Sequence, residues 1–280
     1  MSAAWMTGVR AGFARGRIEF RQSLTTPGDI ATTLIMIAIF LCVMLFARTH
    51  PVPGTHFSLG TTMLASVAGM NIGFNGLALM GGLLAVERED GTLLRAKAIP
   101  NGMLGYLIGK VVSVSGTVMF SVVTTLISGF ILFSGISVTW LTLIWVLALG
   151  LLATLPLGAI LGCLFPSGRS AGLLTLAVAA VAGVSGIFYP ITHLPHWLQW
   201  VGQVFPLYWL GLGMRSALLP GGMAVVEIGH SWRHLLTFAV LAAWAVAGLM
   251  IAPPLLRRMA RREAGSSVAA RRERAMRRAS

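Results

Sequence analysis

Long uncharged runs alternate with short charged stretches along this chain. Between Asp29 and Glu87 the only charged residue is Arg48, and between Lys110 and Arg169 there is none. Such runs exceed the roughly 18 residues that mark a membrane-spanning helix. Lipid admits only helices or a closed barrel, because every backbone polar group must be paired internally. The apolar residues run on without alternating, which selects helices. Breakers and turns then divide the chain into six spans. The first, Ile30–Ala47, follows Thr25-Thr26-Pro27-Gly28, and the second, Gly60–Val86, ends at a knot of charges. The third is Val111–Leu132 and the fourth Leu141–Phe165, separated by Ser134-Gly135-Ile136-Ser137. The turn Pro166-Ser167-Gly168-Arg169 leads to the fifth, Ala171–Tyr189. The sixth, Leu235–Ile251, is expected to stop at Pro253-Pro254.

The stretch Pro190–Gly213 is also apolar and competes as a seventh span. Charge decides against it. With six spans and the N-terminus inside, all but Arg48, Arg215 and Arg233 of the 21 basic residues lie on the inner side. A seventh span would expel a tail of nine arginines, against the inward bias of positive charge. The stretch is therefore read as an outer re-entrant hairpin, with Trp197, Trp200, Tyr208 and Trp209 at the membrane interface. Composition agrees: charged residues are 10% of the chain, apolar residues 56% and mean hydropathy +0.82. The fold class expected is an all-α polytopic membrane protein. One transmembrane domain spans residues 1–255, with an interfacial helix at 1–29, a loop at 87–102 and the hairpin at 190–213. A basic cytoplasmic tail follows at 256–280.

The N-terminal segment sets Met6, Val9, Phe13, Phe20 and Leu24 within a stripe roughly 60° wide on a helix. Arg10, Arg17 and Arg21 border it, as an amphipathic helix at a lipid surface requires, and Ile18 breaks the pattern. A disordered basic leader is the alternative. No cleavable signal peptide is expected. The basic tail reads as an anchor to anionic lipid rather than a nucleic-acid arm. Cys42 and Cys163 lie in spans and read as small apolar residues. All six histidines fall on the outer side. His193-x2-His196 and His230-x3-His234 have feasible ligand spacing, but interfacial polar residues explain them as well, and no metal site is expected. No ionisable residue lies mid-span, which disfavours a proton-coupled pump. No nucleophile, base or metal constellation supports a membrane enzyme.

The charge knot holds Glu87, Arg88, Glu89, Asp90, Arg95 and Lys97 within eleven residues. Acids come first and most bases follow, the order that the dipole of a short helix favours. One reading is a solvated turn that only fixes topology. The other is an ordered docking element, favoured because topology alone needs bases and not three acids.

The run Glu87–Pro100, "EREDGTLLRAKAIP", followed by "LIGKVV" at Leu107–Val112, resembles the signature loop of type 2 ABC transporter permeases. Pro206, Tyr208 and Arg215 resemble the end of that family's outer hairpin, with closer spacing than usual. The resemblance implies a coupling helix docked on a separate ATPase subunit, present in two copies. Glu87, Arg88, Glu89, Asp90, Gly91, Thr92 and Arg95 would form the contact. It implies a second permease copy, identical or paralogous, and a multi-pass protein of the bacterial inner membrane with both termini cytoplasmic. This chain lacks a nucleotide motif of its own, so ATP and magnesium would sit on the partner. Gly105 and Gly109 read as close helix-packing positions.

In that family the second and fifth spans line a central path. Met70, Asn71, Phe74 and Asn75 are candidates here. The two Asn residues lie four apart and so share a helix face. They either line the path or hydrogen-bond a neighbouring helix. The absence of buried charge points to an apolar or amphipathic cargo (drug, antibiotic or lipid-like) moved outward. A secondary transporter or channel independent of ATP is the alternative. Single cysteines at Ser267 and Asp90 should be shielded from an impermeant reagent added to intact cells, and one at His193 should react. Labelling at Ser267 from outside would overturn the six-span topology.

Overall fold

The computed structural model describes residues 3–52, 57–99, 102–165, 168–188 and 191–279. His56, Pro100, the Pro166-Ser167 turn and the Tyr189-Pro190 junction lie outside them, as do the side chains of Lys97, Arg169, His193 and the tail beyond Arg261. The chain is helical, and among the described residues the only strand-like pairing is an isolated bridge between Pro51 and Ser58.

The helices are α1 (Ala3–Ser23), α2 (Pro27–Phe46), α3 (Leu59–Phe74) and α4 (Met80–Glu89), the last two joined without a break by a π-helical segment, Asn75–Leu79. Next come α5 (Thr92–Lys97), α6 (Gly102–Leu132), α7 (Trp140–Leu164), α8 (Gly168–Val184), α9 (His196–Val204), α10 (Pro206–Leu218) and α11 (His234–Ala279). Five helical stretches are long and apolar enough to cross a membrane: 27–49, 59–89, 102–132, 140–164 and 234–259. The expected fifth span is shorter than this criterion. Helix α8 stops at Val184, because the Ser185 hydroxyl bonds back to Ala182 and Gly186 turns the chain with φ +66°. Only glycine takes that conformation without strain.

Two boundaries move outward. The third span begins at Gly102 rather than Val111, which places Lys110 inside a helix. Its early start is packed against α1. A Cβ at Gly12 would lie 2.5 Å from the Gly105 carbonyl oxygen, and one at Gly16 the same distance from that of Gly109. The expected close-packing role of Gly105 and Gly109 is therefore met, with α1 as the partner. Of its apolar stripe, Phe20 joins this packing face against Gly116, whereas Met6 and Phe13 stay exposed, as does Ile18 outside the stripe. The second moved boundary is Pro253-Pro254, which does not stop the last span, since α11 continues through it. Each interior proline costs about 3 kcal/mol of helix stability. Burial of Ala252, Leu256 and Met259 along one face keeps the helix going.

The stretch expected as a hairpin forms two helices of opposite character. Trp197 and Trp200 on α9 are 67% and 74% exposed. Every residue of α10 is buried, between α3, α7 and α11. Tyr208 and Trp209 are therefore core residues and not interfacial ones. The Trp209 indole donates to the Gln203 carbonyl at 2.7 Å, and its ring lies edge-on to Tyr208. Arg233 stacks over the same indole.

Backbone approach at small residues makes room for α10. A Cβ on Gly69 would sit 3.1 Å from the Leu210 carbonyl oxygen, and one on Gly150 would be 2.6 Å from the Leu210 side chain. The row Gly150, Thr154, Gly158 and Gly162 on α7 faces the second span in the same way, and a Cβ on Gly162 would be 2.7 Å from the Gly81 carbonyl oxygen. In lipid, helix association rests on this kind of contact. Gly162→Leu should therefore lower stability in detergent by about 1–3 kcal/mol or more. Gly172→Leu, where nothing stands within 4 Å, should leave the melting midpoint unchanged.

Candidate coupling site

The charged knot is not one helix. Helix α4 carries Glu87, Arg88 and Glu89 at its C-terminal end, Asp90 caps it, and Gly91 reverses the chain with φ +72°. Helix α5 begins only at Thr92 and has no acid in its first turn. The expected dipole order is thus corrected: two of the acids end one helix instead of heading another. The signal was Gly91, whose left-handed conformation terminates α4.

The segment has two faces. Leu93 and Ala96 are buried, and α5 packs on α6 and α11. Glu89, Asp90, Arg95 and Ile99 are exposed, whereas Glu87, Arg88, Gly91 and Thr92 are half-buried.

Glu87 turns inward. Its carboxylate accepts a hydrogen bond from the Tyr106 hydroxyl at 2.6 Å and forms an ion pair with Lys110. The Lys110 ammonium, whose side chain is 5% exposed, also pairs with Glu19 at 2.8 Å. Glu19 in turn accepts from Arg15 at 2.8 Å, and the Arg15 guanidinium lies 5.3 Å over the Tyr106 ring. One lysine on α6 thereby binds α1 and α4 together. Burial alone would raise the Glu19 carboxyl pKa, but hydrogen bonds and charge from Lys110 and Arg15 outweigh it and hold the group below its ordinary value. Its contribution to α1 docking is present above the ordinary carboxylate range and is lost as pH falls through the lowered value.

Sequence reading placed Glu87 in the loop but did not connect it to Lys110, Glu19 or Tyr106. The usable signal was that Glu19 is the only acid among the residues of α1, beside four arginines, and that Lys110 follows Gly109 directly.

The candidate path residues divide. Met70 and Phe74 pack against the apolar cluster that includes Leu77, Leu207 and, from α8, Leu174, Val178 and Ala182. Asn71 turns to α6, accepting from the Ser121 hydroxyl at 3.0 Å and donating to Thr125 at 3.1 Å. Of the two readings left open for Asn71, the inter-helix bond is the one formed within this chain. Asn75 opens the π-helical segment. Among the described residues no group of three or more His, Cys, Asp or Glu stands together as a metal site.

At the far end of the bundle lies a second polar cluster. Arg215, which charge counting assigned to the outer side, is 1% exposed, and its Nε donates to Glu227 at 2.7 Å. Helix α10 folds back into the bundle and carries this charge inside, a placement that span counting by hydropathy does not register.

The loop, the hairpin and the spans between them fall within residues 58–247, which match the model of the ABC-2 family transporter protein. The chain belongs to the ABC-2 transporter family. No curated protein matches it. An ABC-2 chain is the membrane component of an ABC transporter, is not itself catalytic, and associates with an ABC ATPase subunit. The matched stretch opens at the head of α3 and closes within α11, so it contains Glu87 and Lys110 but not Glu19 or Arg15. The clasp between α1 and the ABC-2 core is built from both sides of that limit.

Removing Lys110 would leave two carboxylates facing each other. Breaking a fully buried pair costs about 3–5 kcal/mol, and partial exposure of both acids brings the expectation for Lys110→Met down to roughly 2–3 kcal/mol. The check is a lowered melting midpoint, together with earlier proteolytic cleavage after Arg21.

Proposed function

We propose that this chain is the permease of an ATP-driven exporter that moves an apolar or amphipathic compound outward. One observation carries the reading: the exposed Glu89, Asp90 and Arg95 sit on a segment whose other face, Leu93 and Ala96, is packed into the bundle. A load applied to the charged face therefore moves α6 and α11 with it, which is what a coupling helix requires. Two ATPase subunits, carrying ATP and magnesium, would dock on this face, and a second permease copy, identical or paralogous, would complete the path between second and fifth spans. Arg88, Gly91 and Thr92 border the contact. Glu87 acts one step further in, passing the motion to α1 and α6 through Lys110. The loop, the N-terminus and the tail then lie in the cytoplasm of a bacterial cell. Exposed Met6, Phe13 and Ile18 with nearby arginines support contact of α1 with anionic lipid.

Secondary transport has one observation on its side, the buried Arg215–Glu227 pair. Collapse of the proton gradient at constant ATP separates the two, and export should persist. The docking contact is tested by Glu89→Ala with Asp90→Ala and Arg95→Ala. Charge-assisted contacts contribute about 1.5–3 kcal/mol each when desolvated, so loss of even one predicts at least a tenfold drop in export. The melting midpoint should not move, and Arg271→Ala with Arg272→Ala should export normally. Wild-type export by the triple variant would refute the coupling role.

A further inference from the structure

Arg215 touches three parts of the bundle at once. Its Nε donates to Glu227 Oε1 at 2.7 Å. Its Nη1 donates to the Ile187 carbonyl at 3.1 Å, with the Gly186 carbonyl at 3.5 Å, both in the turn that ends α8. The same nitrogen reaches the Ser66 hydroxyl of α3 at 3.4 Å. A cation placed on carbonyls just past a helix C-terminus is favoured by the helix dipole. Ser66 lies about two turns into α3, so the guanidinium joins the second span to the turn that ends α8. Gly211 leaves the space: a Cβ there would be 3.1 Å from the Ile187 Cα and 3.2 Å from Arg215 Nη1.

The pairing is incomplete. Arg215 Nη2 and Glu227 Oε2 are buried and have no hydrogen-bond partner. A fully paired buried ion pair resists separation, whereas here separation would let water reach two charged atoms that the closed state leaves unpaired. The long bond to Ser66 is the weakest of the three links and the only one to α3.

We propose that Arg215 is a latch which holds α3 of the second span to the end of α8, the fifth span, in the closed permease, and that opening toward the outside breaks its bond to Ser66. This rests on the export reading above. Arg215 is a positioning residue: it touches the two helices that would part and need not touch cargo.

The test uses the full chain in nanodiscs with Cys42 and Cys163 replaced by alanine. Thr62→Cys is the reporter, buried and one turn outward from Ser66 on the same helix row. A charged thiol reagent should label it slowly without nucleotide. With a hydrolysis-deficient ATPase trapped in ATP, labelling should be at least tenfold faster. Glu227→Gln, or Ser66→Ala should the former fail to fold, should raise the nucleotide-free rate by a similar factor. Val118→Cys in the α6 core, also buried, should stay slow throughout, which separates latch release from general loosening. Equal Thr62→Cys rates with and without bound ATP, in a complex shown to contain the ATPase, would overturn the latch and leave the transporter reading standing. Failure to bind the ATPase would count against that reading alone, because the Glu227→Gln and Ser66→Ala arms need no ATPase and judge the latch by themselves. Unchanged labelling in those arms refutes it.

Discussion

Helices in lipid gain little by hiding apolar side chains from one another, because the lipid is as apolar as they are. What holds this bundle is close backbone approach at small residues, supplemented by a few buried polar bonds. The glycine rows of α1 against α6, and of α7 against the second span, bring main chains to distances at which no Cβ would fit. Burial of the whole of α10 depends on the same contact, made by Gly69, Gly150 and Gly211. Once the backbones are that close, Lys110 can reach carboxylates on two other helices, and Arg215 can reach carbonyls at the end of α8.

The two cations occupy opposite ends of the second span. Lys110 ties the end of α4 to α1 and α6. Arg215 ties the beginning of α3 to the end of α8 and to Glu227. Between them run the π-helical segment at Asn75–Leu79 and the Asn71 bonds to α6. A π-segment inside a long helix often marks a functional position, and here it lies between the two ends that the proposed coupling would connect. A displacement at α5 has a continuous packed route to α6 and α11, and through Lys110 to α1.

Glu87 shows how position and role can separate. It belongs to the charged loop in sequence, yet its carboxylate is spent inside the chain on Tyr106 and Lys110. Glu89, Asp90 and Arg95 remain at the surface. The burial pattern divides the knot into a part suited to face a partner and a part suited to carry motion inward.

The sequence by itself determined the class of molecule, its long spans, the site of the charged loop and the family, since hydropathy, charge bias and a short motif are local properties. It also pointed to close packing at Gly105 and Gly109, because glycines four apart lie on one helix face. Only the tertiary structure decided which helix those glycines meet. It decided that Tyr208 and Trp209 of α10 are core and not interfacial, that α11 passes through Pro253-Pro254, and that Glu87 and Arg215 face inward. Each of these depends on partners distant in the chain. A lysine beside a glycine reads the same whether its ammonium meets water or two carboxylates, and a Pro-Pro step ends a helix unless packing on a neighbouring face outweighs the bonds it loses.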